Sequence, residues 1–314
     1  MKSPSGKEDE VREFVLKYLR DLNPEVDEAG NVLVDNGGDV WVTSHMDTVA
    51  GEFYPFSFEN GICFGTGVAD DKASVAAMLV AARETEGLNF AFFVDEEENG
   101  MGSQHFAEKV RKGKAVVMEP TELRICNEHW GVFEALVSVH GKPAHASMPD
   151  YGVNAIEKAL ELIEKLRNFR CGKFSLLSIK SYPENLYSVP HRCEVKFEYL
   201  IPYHAAVPVL EVLETCERFG DVTILEMADP FVSEEIDGLL KMAAELSGIE
   251  PELSFMPSWT DAVNLREAGW DVVVFGPGEL HKAHTPFECV SIEEVVKAVE
   301  VLKNLSRVVS SGKN

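Results

Sequence analysis

The sequence predicts an α/β protein, a mostly parallel sheet with helices on both faces, interrupted by an inserted α+β unit. Three observations predict it. Over the first 126 residues, apolar periodicity alternates between helix-like and strand-like segments joined by short connections. From about Trp130 the strands become longer and more strictly alternating, and from about Pro230 the first pattern returns. Two domains are therefore expected, one from residues 1–127 with 230–314 and one from residues 128–229.

Each element has its own reason. Residues 8–22 read as a helix because Val11, Phe14, Val15, Tyr18, Leu19 and Leu22 fall on one stripe. Val40 to Thr43 is a short buried strand, and Asp71 to Glu84 a helix with an acidic start. N-F-A-F-F-V at Asn89 to Val94 is apolar enough to be buried on both faces, as a parallel core strand is. Ser103 to Arg111 follows as a helix and Ala115 to Met118 as a strand. The insert is expected to hold strands at Val132 to Val139 and Leu186 to Tyr199 around a helix at Val153 to Arg167. Helices at Glu234 to Ser247, Asp261 to Ala268 and Ile292 to Leu305, with a strand at Asp271 to Phe275, complete the chain.

The charge narrows the partners. Lys plus Arg total 29 against 53 for Asp plus Glu, a formal charge of −24. The insert carries −5 of this and the remainder −19. Nucleic acid and anionic membrane surfaces are therefore excluded as main partners. The longest strictly apolar run, Val75 to Ala82, covers eight positions, too few to span a bilayer. The first residues lack the apolar stretch of a secretory signal, so a cytoplasmic location is expected. Six widely spaced cysteines, Cys63, Cys126, Cys171, Cys193, Cys216 and Cys289, form no C-x-x-C pair and read as reduced core thiols.

Chemistry concentrates where strands end. S-H-M-D-T-V after Thr43 brings His45 and Asp47, and V-A-D-D-K after the segment Ile62 to Gly67 brings Asp70 and Asp71. D-E-E-E-N-G after Val94 brings Asp95, Glu96, Glu97 and Glu98, and Glu119 follows Met118. G-P-G-E-L-H-K-A-H-T-P after Phe275 brings His281 and His284. Ligands of open α/β sheets bind beyond the carboxyl ends of the strands, so five such clusters are expected along one edge of one sheet. So many carboxylates need a counter-charge, which divalent cations supply. Imidazoles mixed with carboxylates suit zinc or a similar borderline metal, and a carboxylate-bridged pair of metals accommodates them. Lone histidines such as His105, His140 and His204 read as ordinary surface or core residues. No G-x-S-x-G elbow, phosphate-binding P-loop or H-E-x-x-H helix occurs, and the G-x-G at Gly65 and Gly67 lacks its third glycine.

Taken together, P-S-G-K-E-D-E-V, S-H-M-D-T-V, G-T-G-V-A-D-D-K, D-E-E-E-N-G-M-G-S, E-P-T, H-G-K-P-A-H-A-S-M-P-D-Y-G and F-G-P-G-E-L-H-K-A-H-T-P resemble the two-zinc amidohydrolase and peptidase superfamily of acetylornithine deacetylase, succinyl-diaminopimelate desuccinylase and carboxypeptidase G. The resemblance spans nearly the whole chain. It implies two divalent ions, zinc or else cobalt, bridged by Asp70, with His45 and Glu119 on one and Glu97 and His284 on the other. It implies that Asp47 orients His45 and that Glu96 is the general base, taking a proton from a metal-bridging water that attacks an amide. It implies that His145, in K-P-A-H-A-S, donates to the tetrahedral oxyanion from the partner subunit, and that the insert is a lid and dimerisation domain. Glu98 and Asp71 then read as solvated or outer acids, and His281 as no more than a candidate substrate contact.

Glu119 followed by Pro-Thr resembles the deacylase branch. In S-W-T-D-A-V-N-L, relatives carry an Arg where Val263 and Asn264 stand, and T-D-x-x-N-L resembles the hydrolases that release lysine or ornithine from an amino-group carrier protein. Thr260 and Asn264 become candidate substrate-binding residues. In E-Y-L-I-P an Arg is again replaced, by Tyr199 or Leu200, so the residues that hold a substrate carboxylate are not written in the usual places. The basic stretch Lys165, Arg167, Arg170 and Lys173 is either a carrier-docking face or a solvated helix face. The expected substrate is an N-acylated basic amino acid, small or carrier-borne. The alternatives are a dipeptidase or aminopeptidase with the same metals, and a non-catalytic homologue, which would lack a ligand or base.

Overall fold

Side-chain alternation along four parallel strands builds the first unit. In the computed structural model, which describes all residues except 170–171, 185–186, 206–207 and 312–314, the chain divides into two compact units, residues 1–128 with 232–314 and residues 129–231. Strands Leu88–Phe93, Val40–His45, Lys114–Val117 and Asp271–Val274 lie side by side in that order, all parallel. Antiparallel strands close the edges, Val32–Val34 beside Leu88–Phe93 and Ile125–His129 beside Asp271–Val274.

The alternation assigns each face. Val40, Val42, Phe90, Phe92, Val116 and Val273 point to one side, where they pack with Val11, Val15, Met78, Leu240 and Leu302 of helices Asp9–Leu19, Lys72–Glu84, Ile236–Leu246 and Ile292–Ser311. Trp41 and Phe93 point to the other side and meet Phe106 of helix Met101–Lys109, with ring centroids 4.9 and 5.1 Å apart. With both faces covered, every residue of Leu88–Phe93 is buried.

One expectation is corrected here. Ile62–Phe64 does not join the central sheet but pairs with Ser57–Glu59 and Cys289–Ser291 in a separate antiparallel sheet. Four central strands, not five, therefore end at the site, and Asp70 arrives on the loop that enters helix Lys72–Glu84. That helix has no acid in its first turn, because Asp71 precedes it and is fully buried.

The second unit is an antiparallel sheet in the order Lys173–Tyr182, Arg192–Ile201, Gly131–His140, Gly220–Ala228. Arg192–Ile201 alternates strictly between buried and half-buried, so one face carries the core. Phe133, Val195, Phe197 and Tyr199 pack there against Leu162 and Leu166 of helix Ala155–Arg167 and Val212 and Cys216 of helix Val209–Glu217. The expected strand Leu186 to Tyr199 begins at Arg192, and Leu186 lies outside the described residues. No described helix is long and apolar enough to cross a membrane. The described cysteines are all free, and Cys171 lies outside them.

Candidate metal centre

His45 ends its strand fully buried, its ring held between two carboxylates. Nδ1 lies 3.3 Å from Asp47 Oδ1 and Nε2 lies 3.0 Å from Asp70 Oδ1. Asp70 turns its other oxygen toward His284, with Oδ2 and Nε2 3.1 Å apart. His284 Nε2 is also 3.0 Å from Glu97 Oε2. Two triads result, His45–Asp70–Glu119 and Asp70–Glu97–His284, each with one donor atom per residue inside 4.8 Å, and they share Asp70. A third grouping within the same limit, His45–Glu96–Glu97, brings Glu96 beside them.

Asp47 organises the loop opposite. Its Oδ1 accepts from the Glu96 amide at 3.2 Å, and its Oδ2 accepts from the Glu97 amide at 3.0 Å and from Ser5 Oγ at 2.7 Å. The Val49 amide donates to Glu97 Oε1 at 3.1 Å. His284 holds the left-handed backbone conformation at φ +60°, which is uncommon outside glycine and found where a fold fixes a functional side chain. Asp71 is not solvated: it is buried and its Oδ2 accepts from Ser44 Oγ at 2.5 Å. Glu98 is exposed.

The electrostatics call for cations. Burial, then the negative charges of Glu96 and Asp70, push the Glu119 carboxyl well above the usual carboxylate range. Burial does the same to Glu96, helped by Asp261, Glu97 and Asp70. Burial alone opposes a charged Asp70, but hydrogen bonds from His284 and His45 outweigh it and hold this group below its ordinary value. His284, hydrogen-bonded to Asp70 and then Glu97, rises to about 10. Burial pushes Asp261 up to about 7.

These residues fit bound divalent ions. Glu119 Oε1 is buried without a hydrogen-bond partner, as a lone pair reserved for a ligand is. A tetrahedral zinc ion spaces neighbouring N and O donors about 3.4 Å apart, close to the separations found here.

The family model for "Peptidase family M20/M25/M40" matches residues 41–307, which hold every donor of both triads. The chain belongs to this family. An M20 chain is a metal-dependent hydrolase of the amidohydrolase and peptidase class. Among its relatives, a putative LysW-lysine/LysW-ornithine hydrolase of Pyrobaculum aerophilum is 29% identical over 96% of this chain and 92% of its own. An acetylornithine deacetylase of Myxococcus xanthus is 29% identical over 78% and 72%. The crystal structure of aminopeptidase PepT from Bacillus cereus shares the M20 fold, with a TM-score of 0.78 and 23% identity over 99% of this chain and 95% of that one.

Other sequence candidates fall elsewhere in this M20 chain. His145 is exposed in the second unit, its Nδ1 2.8 Å from Ser147 Oγ. Asn264 Nδ2 donates to Gly100 O and Ser103 Oγ, and Thr260 Oγ1 accepts from the Ala262 amide, so both brace their own unit and neither joins the donor triads. Tyr199 is fully buried and its hydroxyl donates to Leu166 O at 2.5 Å, which commits it to the core of the second unit. Val263 is buried as well. His281 is exposed and stands 3.5 Å from Glu279. Of the basic stretch, Lys165 pairs with Glu161 at 3.4 Å, Lys173 stands over the Trp130 ring, and Arg170 lies outside the described residues. Sequence reading missed Glu288, which is buried and bonded to the Asp70 loop. A Glu four residues beyond His284 was the available signal.

Proposed function

We propose that this chain removes an acyl group from the amine of a basic amino acid, either a small N-acyl ornithine or lysine or the same amino acid linked to a carrier protein. The observation that carries the reading is the pair of donor triads sharing Asp70, with Glu96 beside both. The named activities of the two curated relatives support the substrate class.

His45, Asp70 and Glu119 would hold one ion, and Asp70, Glu97 and His284 the other, with zinc the metal best matched to the mixed donors. Ions bound there supply Lewis-acid polarisation of the scissile carbonyl and a water acidic enough to attack at neutral pH. Glu96, beside both triads, would accept the proton of the attacking water and pass it to the leaving amine. Asp47 fixes the His45 ring and, through the amides of Glu96 and Glu97, sets where base and ligand stand. His145 donates to the oxyanion from a partner copy of the chain. A homodimer through residues 129–231 is supported by Leu177, Ile179, Ile224 and Met227, exposed apolar side chains on the two edge strands of that sheet. The buried free thiols suit a reducing, cytoplasmic setting.

The test pairs elemental analysis of metal per chain with hydrolysis of N-acetyl-ornithine, N-acetyl-lysine and a dipeptide panel. Two metals with release of ornithine or lysine is the expected result. Turnover of dipeptides alone replaces the deacylase reading with a peptidase, and a chain that binds no metal after reconstitution overturns both.

A further inference from the structure

The loop that delivers Asp70 belongs to no sheet, so its backbone amides need partners from elsewhere. The amides of residues 65–70 are shared unequally among their acceptors. Thr66 donates to Tyr54 O and Val68 to Gly65 O. The other four amides all go to one residue far along the chain. Gly65 donates to the Glu288 carbonyl at 3.2 Å and Gly67 to its Oε2 at 2.9 Å, while Ala69 and Asp70 donate to its Oε1 at 3.0 and 3.1 Å.

The geometry around this carboxylate is closed. Glu288 is 3% exposed. Gly67 sits at φ +76°, where a Cβ would lie 2.4 Å from the Thr48 methyl and 2.9 Å from Lys72 Nζ, so the turn that points its amide inward is open to glycine alone. Successive inward amides make a concave anion site, and here the anion is built into the chain. Glu288 also lies four residues after His284, and its own amide donates to Thr285 O, so the clamp and the His284 ligand share one short segment.

We propose that Glu288 is a positioning residue that fixes the spacing of the candidate metal ligands Asp70 and His284. This rests on the two-ion reading above. Glu288 grips the loop that presents one of these ligands from the segment that presents the other, so both metal pockets inherit their width from it. A buried carboxylate doing no more than filling space would not need three amides of the ligand loop.

The test uses full-length Glu288→Gln and Glu288→Asp, compared with the unaltered chain by circular dichroism and thermal melting. Stripped protein is then titrated with Zn2+ against a chromophoric chelator, and kcat and KM are measured separately. Glu288→Gln keeps the volume but presents an amide N–H to the Gly67 N–H, so the clamp opens on one side. Expected is a folded Glu288→Gln protein with 10- to 100-fold weaker zinc binding and lower kcat at near-unchanged KM, as loss of an outer partner of a metal ligand gives. Glu288→Asp, which keeps the charge, is expected to recover part of both. A folded Glu288→Gln protein with unaltered zinc affinity and kcat overturns the clamp while leaving the two-ion reading intact. If Glu288→Gln does not fold, the Glu288→Asp titration decides, and unaltered affinity there overturns the clamp. An unaltered chain that binds no zinc overturns the metal reading and the clamp with it.

Discussion

Asp47 Oδ1 stands 3.3 Å from His45 Nδ1, with both side chains shut off from solvent. The ring therefore turns Nε2 toward the centre and Nδ1 toward a carboxylate that also receives the amides of Glu96 and Glu97. Asp47→Asn keeps the shape and removes the charge. Metal affinity is expected to fall about 10- to 100-fold, with kcat falling more than KM. Chelator-competition titration beside steady-state kinetics checks this, and unaltered affinity would sink the orienting role.

Glu96 sits beside the triads yet belongs to neither of the two that share Asp70. Glu96→Gln is expected to lower kcat by about 10²- to 10⁴-fold while metal content per chain stays as it was. Elemental analysis of the same sample that is assayed separates loss of a base from loss of a metal. Retained turnover would give the proton transfer to another group.

Tyr199 is, with Leu200, one of two positions where the family resemblance implies an arginine, but its hydroxyl is spent on Leu166 O inside the second unit. Tyr199→Phe is expected to cost about 1 kcal/mol of stability and to leave KM alone. Denaturant unfolding and kinetics read the two effects independently. A raised KM with unaltered stability would return Tyr199 to the substrate.

His129 is buried, its Nδ1 2.8 Å from Trp130 O, and burial lowers its pKa from 6.5 to about 4. Between those values the unfolded chain binds a proton that the native chain refuses. The stability it contributes is thus full above pH 6.5 and lost as pH falls toward 4, up to about 3 kcal/mol. Unfolding free energies measured from pH 7 to 4 should fall more steeply for the unaltered chain than for His129→Phe, and parallel curves would refute the assignment.

His45, Glu97 and Glu119 were legible because each ends or closely follows a buried apolar strand, and a strand end followed by His, Asp or Glu is a local pattern, whereas Asp70 stands on a loop after the partly exposed Ile62–Phe64. The same holds for the parallel strands, whose side chains are buried on both faces. Strand Lys173–Tyr182 escaped the reading for a physical reason: its register slips between Leu176 and Ser178, so two leucines stand together and the period of two is lost. Gly220–Ala228 slips in the same way between Ile224 and Glu226. Glu288 escaped because its partners are main-chain amides more than two hundred residues away, which no side-chain pattern records. Ser44 and Asp71 were hidden alike, since their bond exists only once strand and helix meet.

His45, Asp47, Asp70, Glu96, Glu97 and Glu119 precede residues 129–231, whereas His284 and Glu288 follow them. During synthesis the early donors leave the ribosome first and wait while the intervening unit is made. At 5 to 20 residues per second, the interval between Glu119 and Glu288 is roughly ten to thirty seconds. For that time the nascent chain carries one whole triad and two of the three donors of the other, with the Asp70 loop lacking its anchor. The second triad cannot assemble until His284 has been made, whereas the first needs no residue beyond Glu119.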